Sequence, residues 1–120
     1  MSMRAIRGAT QVDANSAVAI GEAVVELLTK MIADNQIDAS DLVSIIFTAT
    51  VDLDADFPAV AARSIGLGNV PLLCAVEIDV PGSLDRVIRV LMHINSSKAL
   101  SEIKHIYLKG AASLRKDIAQ

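Results

Sequence analysis

Three ionisable residues interrupt stretches that otherwise read as apolar β-strands: Arg7 within residues 3–10, Glu77 within 70–80 and Arg89 within 87–94. A charge in a half-buried strand loses hydration unless a partner or a water-filled cavity compensates. Charged side chains are rarely fully buried alone. Their recurrence in separate strands points to a polar pocket. Two guanidiniums and one carboxylate suit a small anionic ligand that also carries a hydroxyl, because a planar fork pairs with a carboxylate and a carboxylate accepts from a hydroxyl.

Other chemistries find less support. The histidines are His93 and His105, and neither a Cys-x-x-Cys nor a His-Glu-x-x-His pattern is present, so no dedicated metal site is expected. The acidic run at Asp52, Asp54 and Asp56 resembles the start of an EF-hand loop. It lacks the glycine and the distal glutamate, and reads as a solvated loop. Cys74 is the single cysteine, which excludes an internal disulfide and fits a reducing, cytoplasmic setting. The net charge is −3 with no basic stripe, and the aromatic residues are Phe47, Phe57 and Tyr107, so neither the electrostatic footprint nor the stacking platform of a nucleic-acid binder is expected.

The elements that must hold these residues follow from periodicity. Residues 4–12 read as a first strand. Asp13, Asn15 or Ser16 is placed to cap the helix that follows, in which Ile20, Val24, Leu27, Leu28 and Met31 recur on one face. Glu22, Glu26 and Lys30 fall opposite, with Glu26 and Lys30 at a favourable spacing. Residues 42–51 read as a buried strand, and Pro58 opens a short helix to about residue 65 that Gly66 and Gly68 can end. Strands are predicted over 70–78, 86–94 and 104–108, with a helical turn over 97–102 and a tail of uncertain order over 111–120. The sum is one α+β domain over residues 1–120, with two helices against one mixed sheet rather than a Rossmann fold. The hydrophobic residues make up 52%, or about 57% once the one Tyr is exchanged for the six Gly, above the roughly 45–50% of typical soluble domains counted that way. No run approaches the roughly 20 apolar residues of a membrane span, and residues 1–10 lack a signal-peptide apolar region. The apolar excess is read as surface buried against other subunits.

The motifs Ile6-Arg7-Gly8-Ala9-Thr10, Thr48-Ala49-Thr50 with Asp52-Leu53, and Phe57-Pro58-Ala59 with Arg63 occur in that order. They are followed by Val70-Pro71 with Cys74, Glu77 and Asp79-Val80, then Ile88-Arg89-Val90-Leu91-Met92, then His105 with Tyr107-Leu108, and Leu114-Arg115. Each is weak alone, but their joint order and spacing resemble the small monofunctional trimeric chorismate mutases of the Bacillus type (AroH class). The resemblance implies a mixed sheet with helices on one face, and a homotrimer whose sheets form a pseudo-α/β barrel with active sites between subunits. It implies isomerisation of chorismate to prephenate on the route to phenylalanine and tyrosine, with no cofactor.

Through that resemblance, Arg89 matches the cation beside the breaking ether bond, Arg7 a carboxylate-binding arginine, and Glu77 the acceptor for the substrate hydroxyl. Tyr107 matches a phenol that binds a substrate carboxylate, and Phe57 an apolar wall from the adjacent subunit. Ala59, Leu73 and Cys74 fall among the substrate-binding positions. Arg63 matches a cation at the cleft mouth. Leu114 and Arg115 match a mobile tail that closes over the ligand. Plainer readings stand beside these: Arg89 and Glu77 as a structural ion pair, Arg7 as an edge-strand residue, Arg63 as a solvated helix residue, Tyr107 as a half-buried strand tyrosine and Cys74 as a small core residue. Strand parity puts Leu73, Ala75 and Glu77 on one face and Cys74 on the other. Both reach one ligand only if the strand is irregular or Cys74 offers its backbone. The family pattern carries Lys where this chain has Val60, and Thr where it has Leu73. Those departures motivate a second expectation, a non-catalytic module of the same trimeric architecture that binds a small carboxylate. A third is another trimeric enzyme with an intersubunit cleft, of the small enamine/imine deaminase type.

Overall fold

The computed structural model describes residues 2–114. The elements run β1 (Ser2–Gln11), α1 (Ala17–Asp34), β2 (Leu42–Ala49), α2 (Pro58–Ser64), β3 (Leu72–Val76), β4 (Val87–Ser96) and β5 (Ile106–Leu108), with short 3-10 turns at Ala39–Asp41, Leu100–Glu102 and Lys109–Ser113. The sheet order is β3-β2-β4-β1-β5. β4 runs antiparallel to both β1 and β2, while β2–β3 and β1–β5 are parallel. The β1-α1-β2 and β2-α2-β3 segments are therefore crossovers of the βαβ kind, and the first has β4 inserted between its strands. This is the α+β mixed sheet that the periodicity predicts.

Ser16 caps α1, its hydroxyl accepting from the Ala19 N–H at 3.1 Å. Ile20, Val24, Leu27, Leu28 and Met31 are all buried, as their spacing requires. They meet Ile6 of β1, Ile45 and Phe47 of β2, and Ile88, Val90 and Met92 of β4 in one core. Gly8 lets α1 approach β1 this closely: a Cβ there would collide with the Met31 sulfur and lie 3.2 Å from Leu27 Cδ1. At the other end of α1, buried Asn35 donates to the Met31 and Lys104 carbonyls at 2.9 Å and accepts from the Lys104 N–H at 2.8 Å. That one amide ties the helix end to the approach to β5.

The structure departs from the periodicity reading in several details. β5 begins at Ile106 rather than at residue 104, because the Arg7 N–H donates to the imidazole Nδ1 of His105 at 2.9 Å instead of to a backbone carbonyl. β4 runs on to Ser96, paired with Ser2. Lys30 pairs with Asp34 at 3.0 Å, one turn further along than the expected Glu26 partner lies behind it. The tail predicted from residue 111 starts as part of the 3-10 turn Lys109–Ser113, and Ala111 is buried with Ala9 and Tyr107.

Candidate active site

Helices cover one face of the sheet, and alternation along each strand puts the chemistry on the other. In β1, Ile6, Gly8 and Thr10 face α1 or the core, which turns Ala5, Arg7 and Ala9 to the open side. In β4, Ile88, Val90 and Met92 are in the core, so Arg89 and Leu91 face out. The register aligns Thr48 of β2 with Arg89 of β4, Arg89 with Ala9 of β1, and Ala9 with Tyr107 of β5. One row of side chains thus crosses four strands. Glu77 joins it from the end of β3, its backbone N–H still donating to the Ala49 carbonyl at 2.9 Å.

Ala9 is the smallest side chain of that row and is buried against Tyr107 and Ala111, and a hollow of about 360 Å³ on the same face is lined by Arg7, Ile46, Thr48, Arg89, Leu91 and Tyr107. Arg89 Nε lies 3.2 Å from Glu77 Oε1, and the Thr48 hydroxyl donates to Glu77 Oε2 at 2.7 Å. The Glu77 side chain is only 12% exposed, whereas that of Arg89 is 47% exposed. Among the described residues, the terminal nitrogens of Arg89 and the guanidinium of Arg7 make no ion pair or hydrogen bond. Two guanidiniums therefore face one carboxylate around the hollow, with the buried Tyr107 at its far side. An unbalanced positive field in a partly desolvated hollow favours an anion. The Arg89–Glu77 contact is the ion pair of the plainer reading, and it engages Nε alone among the guanidinium nitrogens that the described residues contact.

Other predicted site residues lie elsewhere on the chain. β3 keeps its alternation to the end, so Cys74, opposite Phe47, faces the core while Glu77 faces the open side. The thiol and the Glu77 carboxylate thus belong to opposite faces. Cys74 and Phe57 line a second hollow of about 420 Å³ together with Leu53 and Pro58. Phe57 is 68% exposed and Leu73, beside Ile46 on the open face, is 61% exposed. Ala59 is buried in α2, and Arg63 is exposed near its end. Leu114 packs on the cluster of Ala9, Tyr107 and Ala111. Arg115 lies outside the described residues. One chain therefore gathers Arg7, Glu77, Arg89 and Tyr107, with Leu114 adjoining, and does not bring Phe57, Ala59, Arg63, Leu73 or Cys74 to them.

Two contributors carried no assigned role in the sequence. Thr48 belongs to one of the motifs that carry the resemblance, but no contact was assigned to its hydroxyl. His105 had no role beyond its place in a motif, and its imidazole Nδ1 accepts from the backbone N–H of Arg7. No group of three or more His, Cys, Asp or Glu side chains suited to a metal occurs among the described residues. No helix among them is long and apolar enough to cross a membrane.

An α+β sheet with a hollow on its open face lined by two arginines and a tyrosine is the architecture of a small-ligand protein, and comparison with known proteins narrows it. The chain matches the family described as chorismate mutase type I over residues 3–118. It is 48% identical over 117 residues to a Thermus thermophilus protein named chorismate mutase AroH, spanning 97% of this chain and 96% of that one. It is 38% identical over 120 residues to chorismate mutase AroH of Bacillus subtilis (strain 168), spanning 99% and 94%. The solved structure of a chorismate mutase from Clostridium thermocellum superposes with a TM-score of 0.90 at 51% identity, over 92% of this chain and 98% of that chain. The chain belongs to the chorismate mutase type I family.

Proposed function

We propose that this isomerase converts chorismate to prephenate in the hollow lined by Arg7, Thr48, Arg89 and Tyr107, in aromatic amino-acid biosynthesis. The observation that carries the reading is the pair of guanidiniums, Arg7 and Arg89, whose terminal nitrogens have no partner among the described residues, around a hollow of about 360 Å³ that Tyr107 also lines and that Glu77 adjoins through its contacts with Arg89 and Thr48. The substrate carries two carboxylates, a hydroxyl and an ether bridge. Its rearrangement is unimolecular and pericyclic, and needs neither a nucleophile nor a proton transfer. The protein helps by holding the compact conformer and by meeting the charge that develops. Arg7 and Tyr107 bind carboxylate oxygens. Glu77 accepts from the hydroxyl. As the C–O bond breaks ahead of C–C formation, negative charge gathers on the ether oxygen, and the terminal nitrogens of Arg89 stabilise it more in the transition state than in the ground state.

The same reading extends to assembly. The hollow is open, and Phe57, Ala59, Arg63, Leu73 and Cys74 do not reach it within one chain. A homotrimer with sheets packed into a pseudo-α/β barrel would bring the Phe57 and Cys74 region of one copy against the hollow of the next. The exposed Phe57 and Leu73 support that arrangement, since large apolar side chains held at a surface mark contact sites. The non-catalytic module and the deaminase-like enzyme find no support among the comparisons, which are to chorismate mutases. The test is direct. Pure protein added to chorismate should speed the loss of its absorbance with stoichiometric appearance of prephenate, in chelator as in buffer. A folded protein that leaves the uncatalysed rate unchanged would overturn the assignment.

A further inference from the structure

We infer that Thr48 is a positioning residue for the reaction, acting through Glu77. This rests on the role proposed above for Glu77 and Arg89. Glu77 follows the last residue of β3, where the chain leaves the sheet and passes into a stretch with exposed Ile78 and Val80. A glutamate there has three side-chain torsions to fix, and one contact from Arg89 Nε at 3.2 Å constrains only one oxygen. The second oxygen is held by Thr48 at 2.7 Å, the shorter of the two contacts. A hydroxyl has a single proton to give, and a β-branched side chain in a strand has little rotamer freedom. Thr48 is thus a stiff donor on β2, in register with Arg89 on β4. Two donors on paired strands fix the plane of the carboxylate, with one protein donor on each oxygen. Each oxygen keeps acceptor capacity for a substrate hydroxyl. The Thr48 side chain also lines the hollow, so its methyl group bounds the space the ligand fills.

The inference predicts a loss that depends on Glu77. Thr48→Val keeps shape and strand preference while removing the donor, and should lower kcat/KM about tenfold, the scale of one hydrogen bond to a charged group. Thr48→Ser should recover most of that loss. In a Glu77→Ala background, Thr48→Val should cost less than about twofold further, because the group it positions is gone. The same cycle read as prephenate affinity by calorimetry covers a Glu77→Ala protein too slow to assay. Size and thermal midpoint are checked for every variant, and Thr48→Ala repeats the comparison if the valine protein does not fold. Wild-type kcat/KM in Thr48→Val, or an equal fold loss with and without the Glu77 carboxylate, would overturn the inference. Arg89→Ala separates the two readings: full activity there defeats the site assignment itself, whereas lost activity there with a silent Thr48→Val defeats only the role of Thr48.

Discussion

A guanidinium that offers its Nε to a carboxylate, and whose terminal nitrogens have no partner among the described residues, suits the role proposed above for a cation beside a developing charge. That is the situation of Arg89, and it sets the expected mutant hierarchy. Removing one donor to a developing oxyanion typically costs roughly 10²–10³ in kcat. Arg89→Ala removes a full cation and should lose at least that much. Arg89→Lys should restore only part, since an ammonium cannot pair with Glu77 and reach the ligand as a planar fork does. Cys74→Ala should cost far less than about 10³-fold, because its thiol faces the core and the reaction needs no nucleophile. Steady-state kinetics on folded variants checks all three, and near-normal kcat in Arg89→Ala would remove it from the mechanism. At this scale the sequence was informative where a residue broke its surroundings: Arg7, Glu77 and Arg89 stand out as charges in apolar strands. The parity of Cys74 was also legible, since alternation alone separates it from Glu77. Thr48 was not, because threonine is an ordinary strand residue and its partner is distant in sequence.

The elements were legible in type and less so at their ends. The face of α1 followed from five apolar positions, and its start from Ser16. The late start of β5 was hidden, because it depends on a side chain, His105, taking the place of a backbone acceptor. The packing of α1 on β1 turns on Gly8. Gly8→Ala would press a methyl group into Met31 and Leu27, both buried, and should destabilise by about 1–3 kcal/mol. Urea midpoints check this, and an unchanged midpoint would mean that Met31 can swing aside at no cost. A second prediction concerns the loop after β2. The Thr50 hydroxyl donates to Asp52 at 2.5 Å and the Arg86 N–H donates at 3.0 Å, and these hold the Asp52 carboxyl below its ordinary range while burial opposes them. A carboxyl with a depressed folded pKa contributes stability that is present above its unfolded pKa of about 4 and is lost as pH falls through the lower folded value. Asp52→Asn should therefore flatten the acid side of the stability profile. Equal acid sensitivity in both proteins would show that other carboxylates dominate.

At the scale of the whole molecule, the apolar excess has to go somewhere. The radius of gyration is 13.6 Å, close to what a compact single domain of this length gives, about 2.2·N^0.38 Å. Compaction has not hidden Leu73, Val76, Ile78 and Val80, which lie exposed along and beyond the edge strand β3, with Ile78 at 88%. An uncovered apolar edge is a liability that proteins usually cover. Light scattering at micromolar concentration should return three times the 12.7 kDa chain mass. A monomer would remove both the trimer and the shared cleft. No arrangement of copies could be read from composition, which says that surface is to be buried but not with what symmetry.

The position of β1 has a further consequence, for how the chain acquires this shape. Its first strand lies between its last two, with Ser2 opposite Ser96 and Gly8 beside Ile106. The central ladder therefore cannot nucleate locally. It must close nearly the full length of the chain before its pairing is rewarded, and such high contact order places folding toward the slow, millisecond-to-second regime. The row that carries Arg89, Ala9 and Tyr107 is made of those distant strands. Catalytic competence should thus appear with the slowest step of refolding and not with the earlier gain of helix in α1.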